Sequence, residues 1–326
     1  APPRAAAAAA PKTKARDVPM SMRASMASTA GHVLDESADS PLLLPNYDKE
    51  ARVPSGPLGR AKGKFEEPRP EHVEELQAAF EPFLRRDMAE ALFSKDFKKH
   101  CAALDGFTQA LPELGEALYG NMDLLLRWNV LRLCDTNTTA LVKSLEFLTA
   151  MLAQLQAEGY AITDWEANNF APAVVEKCGH NNDRIRSSFR EILRLMCEVY
   201  SPSKVFNFVL DGTKAKNNRT RIECLEFLVE LLGKYGMSVC GAPSKVLPGL
   251  AKIVAERDAK LRAAALDVLA AVYKMEGESV WKSLGTLQAA QKGLLDDKFK
   301  YVVKQMAKDG QGKPGDFRPH GAAAAR

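Results

Sequence analysis

Aromatic residues are scarce in this chain of 326: they make up 7% of it, within an apolar share of 46% carried largely by alanine and leucine. Strands draw on β-branched and aromatic residues, so this composition favours helices. No run of about 18 apolar residues occurs, which excludes a membrane-spanning helix. A strong excess of one charge is also missing. Lys and Arg number 45 against 41 Asp and Glu, a formal +4, too little for a nucleic-acid protein, which wants a more basic domain with interleaved aromatics. The cysteines at 101, 134, 178, 197, 224 and 240 contain no CxxC pair. They read as free thiols of an intracellular protein. The alanine-rich, basic N-terminus lacks the leucine-type core of a secretory signal.

Signatures of catalysis are lacking too. The five histidines (32, 72, 100, 180, 320) are scattered, and no HExxH, GxSxG or GxxxxGK[ST] occurs. His180 follows Gly179 and Cys178, but neighbours on a turn point apart and no third orienting group is near in sequence. The expectation is a non-enzymatic protein with no cofactor and no metal.

What is present is helical text cut by short Gly, Pro and Asn punctuation. Residues 1–40 are low complexity and read as a disordered linker. Residues 41–70 read as an extended arm, whose apolar spots Leu42, Leu43, Leu44 and Phe65 have no local partner and are expected to lie on a neighbouring surface. Residues 71–308 form the body, with helices over 71–93, 99–110, 112–133, 137–157, 164–177, 183–199, 203–211, 218–234, 244–255, 259–274, 278–284 and 287–307. Residues 309–326, rich in Gly, Pro and Ala, read as a disordered tail. No convincing alternating strand is found.

An internal repeat decides the architecture. Segments 183–193, 218–228 and 259–269 each open with a polar turn, place an arginine at a fixed point (Arg186, Arg221, Arg262) and carry apolar residues six and seven positions later. Weaker copies align at His100 and Leu141. The anchors are 41, 45, 35 and 41 residues apart. A period near forty with two helices per unit predicts an all-α solenoid of HEAT-type repeats, about six helix pairs, in which each unit covers its apolar face with the next.

In such an array the turns joining the two helices of every unit fall on one edge. Here those turns are Lys95–Lys99, Asp135–Thr139, His180–Arg184, Lys214–Arg219 and Glu256–Lys260. With the anchor arginines they hold twelve basic residues (95, 98, 99, 184, 186, 214, 216, 219, 221, 257, 260, 262) and five acidic ones (96, 135, 183, 256, 258). The edge is thus +7 in a chain of +4. A basic edge bearing Phe97 suits an acidic protein surface, with the aromatic as anchor and the charge speeding encounter. The plainer reading is a polar edge whose arginines form a structural ladder, on a generic HEAT scaffold with another protein partner.

The turns resemble a known family. Asp135-Thr136-Asn137-Thr138-Thr139 followed by Lys143-Ser144-Leu145-Glu146-Phe147-Leu148 is similar to the TOG domains of the ch-TOG/Minispindles microtubule polymerases. So are Arg221 to Leu228, Tyr235 to Cys240, and Arg257-Asp258 through Leu266. Leu42 to Asn46, Lys64 to Arg69 and Phe93 to Phe97 resemble the last TOG domain of that family. The resemblance, over about 42–307, implies a non-catalytic, monomeric module of a longer chain that holds αβ-tubulin or the microtubule, in the cytoplasm on spindle and other microtubules. It further implies an extra N-terminal helix, offered by 71–86, and a preference for lattice tubulin. On the motif positions, the resemblance implies tubulin contacts from Phe97 and Lys98 in the first turn. Asn137 and Thr138, Asn182 and Arg184, and Lys216, Asn217 and Arg219 follow in the second to fourth turns, and Arg257, Lys260 and Arg262 in the fifth. The family's first turn often carries tryptophan, so phenylalanine at 97 predicts a weaker anchor.

Overall fold

The computed structural model describes residues 40–54 and 63–318. Residues 1–39 of the expected 1–40 linker, the arm's residues 55–62 and the tail from 319 lie outside the described residues. The body is built from thirteen α-helices: α1 (Pro70–Phe80), α2 (Arg86–Leu92), α3 (Phe97–Leu114), α4 (Glu116–Gly120), α5 (Met122–Leu133), α6 (Thr138–Ala157) and α7 (Asp164–Lys177). They continue with α8 (Asp183–Val199), α9 (Pro202–Gly212), α10 (Asn218–Tyr235), α11 (Pro243–Ile253), α12 (Ala259–Glu276) and α13 (Ala289–Lys308). Six A/B pairs follow in order: α2/α3, α5/α6, α7/α8, α9/α10, α11/α12, and a 3-10 turn over Gly277–Ser283 with α13.

Two start signals recur along the array. Proline opens α1, α9 and α11, where its fixed φ is preset for a first helical turn and its missing N–H is not needed. The B helices α3, α6, α8, α10 and α12 start instead on Asp96, Asn137, Asn182, Asn217 and Asp258, each accepting a backbone N–H with its side-chain oxygen. Between these signals the apolar stripes face inward and merge into one core running the length of the array, from Leu76 and Phe80 of α1 to Phe299 and Met306 of α13.

Three expected boundaries move. The helix expected over 71–93 breaks after Phe80, because Pro82 interrupts it and Leu84 pairs with the arm as an antiparallel bridge to Leu43. Leu44 N–H donates to Phe83 O at 2.7 Å and Arg85 N–H to Leu42 O at 3.1 Å. The break expected near Pro112 falls at Gly115, whose φ of +43° a glycine tolerates, and 112–133 divides into α4 and α5. The helix expected over 278–284 is a 3-10 turn. Tail residues 310–318, expected to be disordered, return to the fold: Gly315 N–H donates to Lys274 O at 3.0 Å and Phe317 packs on the core.

The arm is held by charge as well as by Leu43. Lys49 donates to Glu166 of α7 at 2.9 Å and Arg52 to Asp123 of α5 at 2.6 Å, and the two carboxylates are only 1% and 2% exposed. Asn121 donates to Leu44 O at 2.9 Å. Gly120 is required here, since a Cβ would sit 2.3 Å from Asn46 O. Farther along, Glu67 pairs with Lys177 at 2.8 Å beneath Phe65.

Candidate functional edge

Each intra-repeat turn is fixed from its own sequence. The capping oxygens of Asp96, Asn137, Asn182, Asn217 and Asp258 take the first free N–H groups of the B helix, leaving the next one or two side chains pointing outward. The anchors then brace the turn from behind. Arg186 donates to His180 O at 2.8 Å and Arg262 to Glu256 O at 3.0 Å, each six residues back. His100, at the same place in the first repeat, donates from Nε2 to Ser94 O, also six back. Arg221 donates to Thr213 O at 3.0 Å.

The braces also link repeats. Arg186 reaches Glu223 of the next repeat at 2.9 Å and Arg221 reaches Glu256 at 2.7 Å, while Asn218 Nδ2 donates to Asp258 at 3.1 Å. At the front, Arg132 donates to His100 Nδ1 at 2.8 Å and pairs with Asp135 at 3.3 Å. Asp183 pairs with Arg186 within its own turn.

This bracing sorts the charges of the edge. All five acids are engaged: Asp96 and Asp258 as caps, Asp135 with Arg132, Asp183 with Arg186, and Glu256 with Arg221. Four of the twelve basic residues are engaged too, Arg186, Arg221 and Arg262 as braces and Lys214 with Asp211 at 2.9 Å. The other eight, Lys95, Lys98, Lys99, Arg184, Lys216, Arg219, Arg257 and Lys260, are exposed and make no ion pair with the described residues. Phe97, first residue of α3, lies half-buried among them.

Of the twelve residues singled out from the sequence, Phe97, Lys98, Thr138, Arg184, Lys216, Arg219, Arg257 and Lys260 are brought to one edge with side chains not committed to the turn. Asn137, Asn182 and Asn217 spend their side-chain oxygens as caps, and Arg262 is a brace. The capping pattern, Asp or Asn just before each B helix, was visible in the sequence; the brace from Arg132 to His100 was not, because it joins two repeats. Cys178 and His180 do not meet: the thiol is buried and donates to Val175 O at 3.1 Å, whereas the ring accepts from Asn182 N–H at 3.1 Å.

His100 gives this edge a pH dependence. Burial, and then the Arg132 guanidinium, hold its pKa below the ordinary histidine value. A proton on Nδ1 would face a donor instead of accepting from it. The unfolded chain then takes up the proton first, so the residue costs stability increasingly as pH falls below about 6.5. In urea titrations at pH 7.5 and pH 5.5, His100→Gln is expected to lose less stability between the two than the parent chain. An equal loss would remove His100 as the cause.

Residues 129–299 match the family described as XMAP215/Dis1/CLASP, TOG domain. The chain is 42% identical over 255 residues to Protein MOR1 of Arabidopsis thaliana, covering 78% of this chain and 13% of that protein. It is 33% identical over 273 residues to Protein mini spindles of Drosophila melanogaster, covering 83% and 13%. The chain thus spans about an eighth of the length of these relatives. Among solved structures, the TOG domain of Zyg9 from C. elegans is similar with a TM-score of 0.74 and 32% identity, over 80% of this chain and 98% of that one. A structure described under "TOG-tubulin binding specificity promotes microtubule dynamics and mitotic spindle formation" superposes with a TM-score of 0.74 and 33% identity, over 80% of this chain and all of the other.

Proposed function

We propose, from the premise that this chain belongs to the XMAP215/Dis1/CLASP TOG-domain family, that it binds αβ-tubulin along its turn edge. The reading makes it a non-catalytic, monomeric module of a larger microtubule polymerase, working on cytoplasmic microtubules. The observation that carries it is the sorting of charge. Eight cations without an ion pair among the described residues, and one half-buried aromatic, stand in a row whose five acids are each tied to a cap or a basic partner. Such a surface keeps a net positive field toward an acidic partner, steering encounter, while Phe97 supplies apolar contact area. In this reading Phe97, Lys98, Thr138, Arg184, Lys216, Arg219, Arg257 and Lys260 touch tubulin, and Asn137, Asn182, Asn217 and Arg262 hold the turns that present them.

No helix among the described residues is long and apolar enough to cross a membrane. Binding would act by favouring one tubulin conformation over another, a population shift without covalent chemistry. Co-pelleting with microtubules, beside gel filtration with free tubulin, tests the proposal. Binding in at least one assay, weakening as salt is raised, is the expected result. No binding in either at low salt would overturn it.

A further inference from the structure

The B helices do not stack evenly. Helices α3, α6 and α8 pack side by side, and so do α10, α12 and α13, but the backbones of α8 and α10 approach each other far less. At this joint α10 leans instead on α7, the A helix of the preceding repeat, close to the turn edge. There the contact is tight and dry. Thr220 Oγ1 donates to Glu176 O at 3.1 Å, and the thiols of Cys178 and Cys224 lie 3.9 Å apart. A Cβ on Gly179 would sit 2.2 Å from Thr220 N.

Away from the edge the joint is bridged by charge. Arg186, Arg190 and Arg194 stand at four-residue spacing on α8, opposite Glu223, Glu226 and Glu230 on α10. Arg190 is central: it reaches Glu223 at 2.5 Å, Glu226 at 2.6 Å and Glu230 at 3.5 Å. Arg186 to Glu223 and Arg194 to Glu230, both at 2.9 Å, flank it, and Lys234 to Glu198 at 2.5 Å closes the far end. Arg190 is 26% exposed and Glu226 48%, so dissolved ions reach the bridge.

We propose that Arg190 and its three glutamates position the two halves of the domain. The Gly179–Thr220 contact acts as pivot and the ionic bridge sets the angle between repeats 1–3 and repeats 4–6. Backbone atoms and buried sulfurs in contact leave no slack at the pivot. Long charged side chains hold a wider gap and admit several geometries of similar energy. The bridge therefore sets the line along which turns 1–3 and turns 4 and 5 meet a partner. This rests on the turn edge being the binding surface, and it makes Arg190 a determinant of which tubulin shape fits, without touching tubulin.

The test is an inter-label distance by double electron–electron resonance, with spin labels on non-natural residues so that native cysteines stay untouched. Exposed Gln156 of α6 and Ala263 of α12 report across the joint, and Ala102 of α3 with Gln156 within one half. In Arg190→Ala the 156–263 distribution is expected to broaden and shift by several ångströms, with 102–156 unchanged. Raising NaCl on the parent chain, which shortens screening from about 10 Å to about 3 Å at 1 M, should move it the same way. The ratio of microtubule to free-tubulin affinity should change about threefold in Arg190→Ala, which a purely structural role would not do. An unmoved 156–263 distance in the folded variant overturns the joint, and the salt arm decides it should the variant not fold. A moved distance with an unmoved ratio overturns the positioning role. The distance needs no partner, so absence of all tubulin binding would refute the edge and not the joint.

Discussion

Changing Lys49 and Arg52 together to alanine is expected to cost about 4–8 kcal/mol of folding stability, a large part of what a domain possesses. The reason lies in what stays behind. Asp123 and Glu166 project from α5 and α7 into nearly water-free positions, and the arm supplies their cations. Arg52 clamps Asp123 with two N–H groups at 2.9 and 2.6 Å and spends a third bond on Gly120 O at 3.0 Å. Lys49 bonds Glu166 at 2.9 Å, Tyr160 Oη at 2.7 Å and Tyr119 O at 2.9 Å. Breaking a buried pair from one side leaves a charge without water or partner, whereas removing both partners costs far less. Glu166 keeps its bonds from Tyr160 and Thr163, so its share should be the smaller one. Urea unfolding followed by far-UV circular dichroism checks the magnitude. Adding Asp123→Asn and Glu166→Gln to the double variant should recover about half of the loss. A double variant as stable as the parent chain would show that the arm is merely resting on the body.

The second large effect is on binding. Phe97→Ala is expected to lose on the order of 1–2 kcal/mol of tubulin affinity, as for an aromatic anchor in a contact centre. Lys260→Glu reverses a charge at the opposite end of the edge. It should act chiefly on the association rate, with a deficit that shrinks as salt screens the encounter. The two sites lie in the first and fifth turns and share no partner among the described residues, so their effects should add, to about 30- to 100-fold in the combined variant. Neither should disturb the fold: Phe97 is half-exposed at a helix start, and a glutamate in the first turn of α12 suits the helix dipole. Arg221→Ala is the contrasting control. That guanidinium, 16% exposed, holds Thr213 O and Glu256, so its loss should lower the melting temperature first and affinity only through the shape of the fourth turn. Unchanged affinity in both edge variants would leave a helical scaffold with its partner elsewhere.

Much of this was legible in the chain. The forty-residue period, the apolar stripes and the polar turns dictated a row of helix pairs, because each unit's apolar face can be covered only by a copy of itself. The caps carry an equally local signal, an Asp or Asn that meets free N–H groups within three residues, yet Asn137, Asn182 and Asn217 were expected to contact a partner instead. The apolar spots of the arm announced a docking segment. Lys49 and Arg52 did not, since an exposed lysine and one reaching a carboxylate more than a hundred residues away look alike in sequence. Nor could Asp123 and Glu166 be recognised as buried, since a carboxylate within a helix reads first as part of its solvated face.

The sequence by itself therefore determined the repeat, the class of fold, the side on which the turns gather and the sign of their charge. All of these follow from periodicity and local bonding within a few residues. Only the tertiary structure decided which cations on that edge are spent and which stand free, where the arm's charges are seated, and that the stack is joined by arginines and glutamates between α8 and α10. Those are pairings across repeats. Their energy depends on distance and on the exclusion of water between residues far apart in the chain, and neither quantity is written in the order of amino acids.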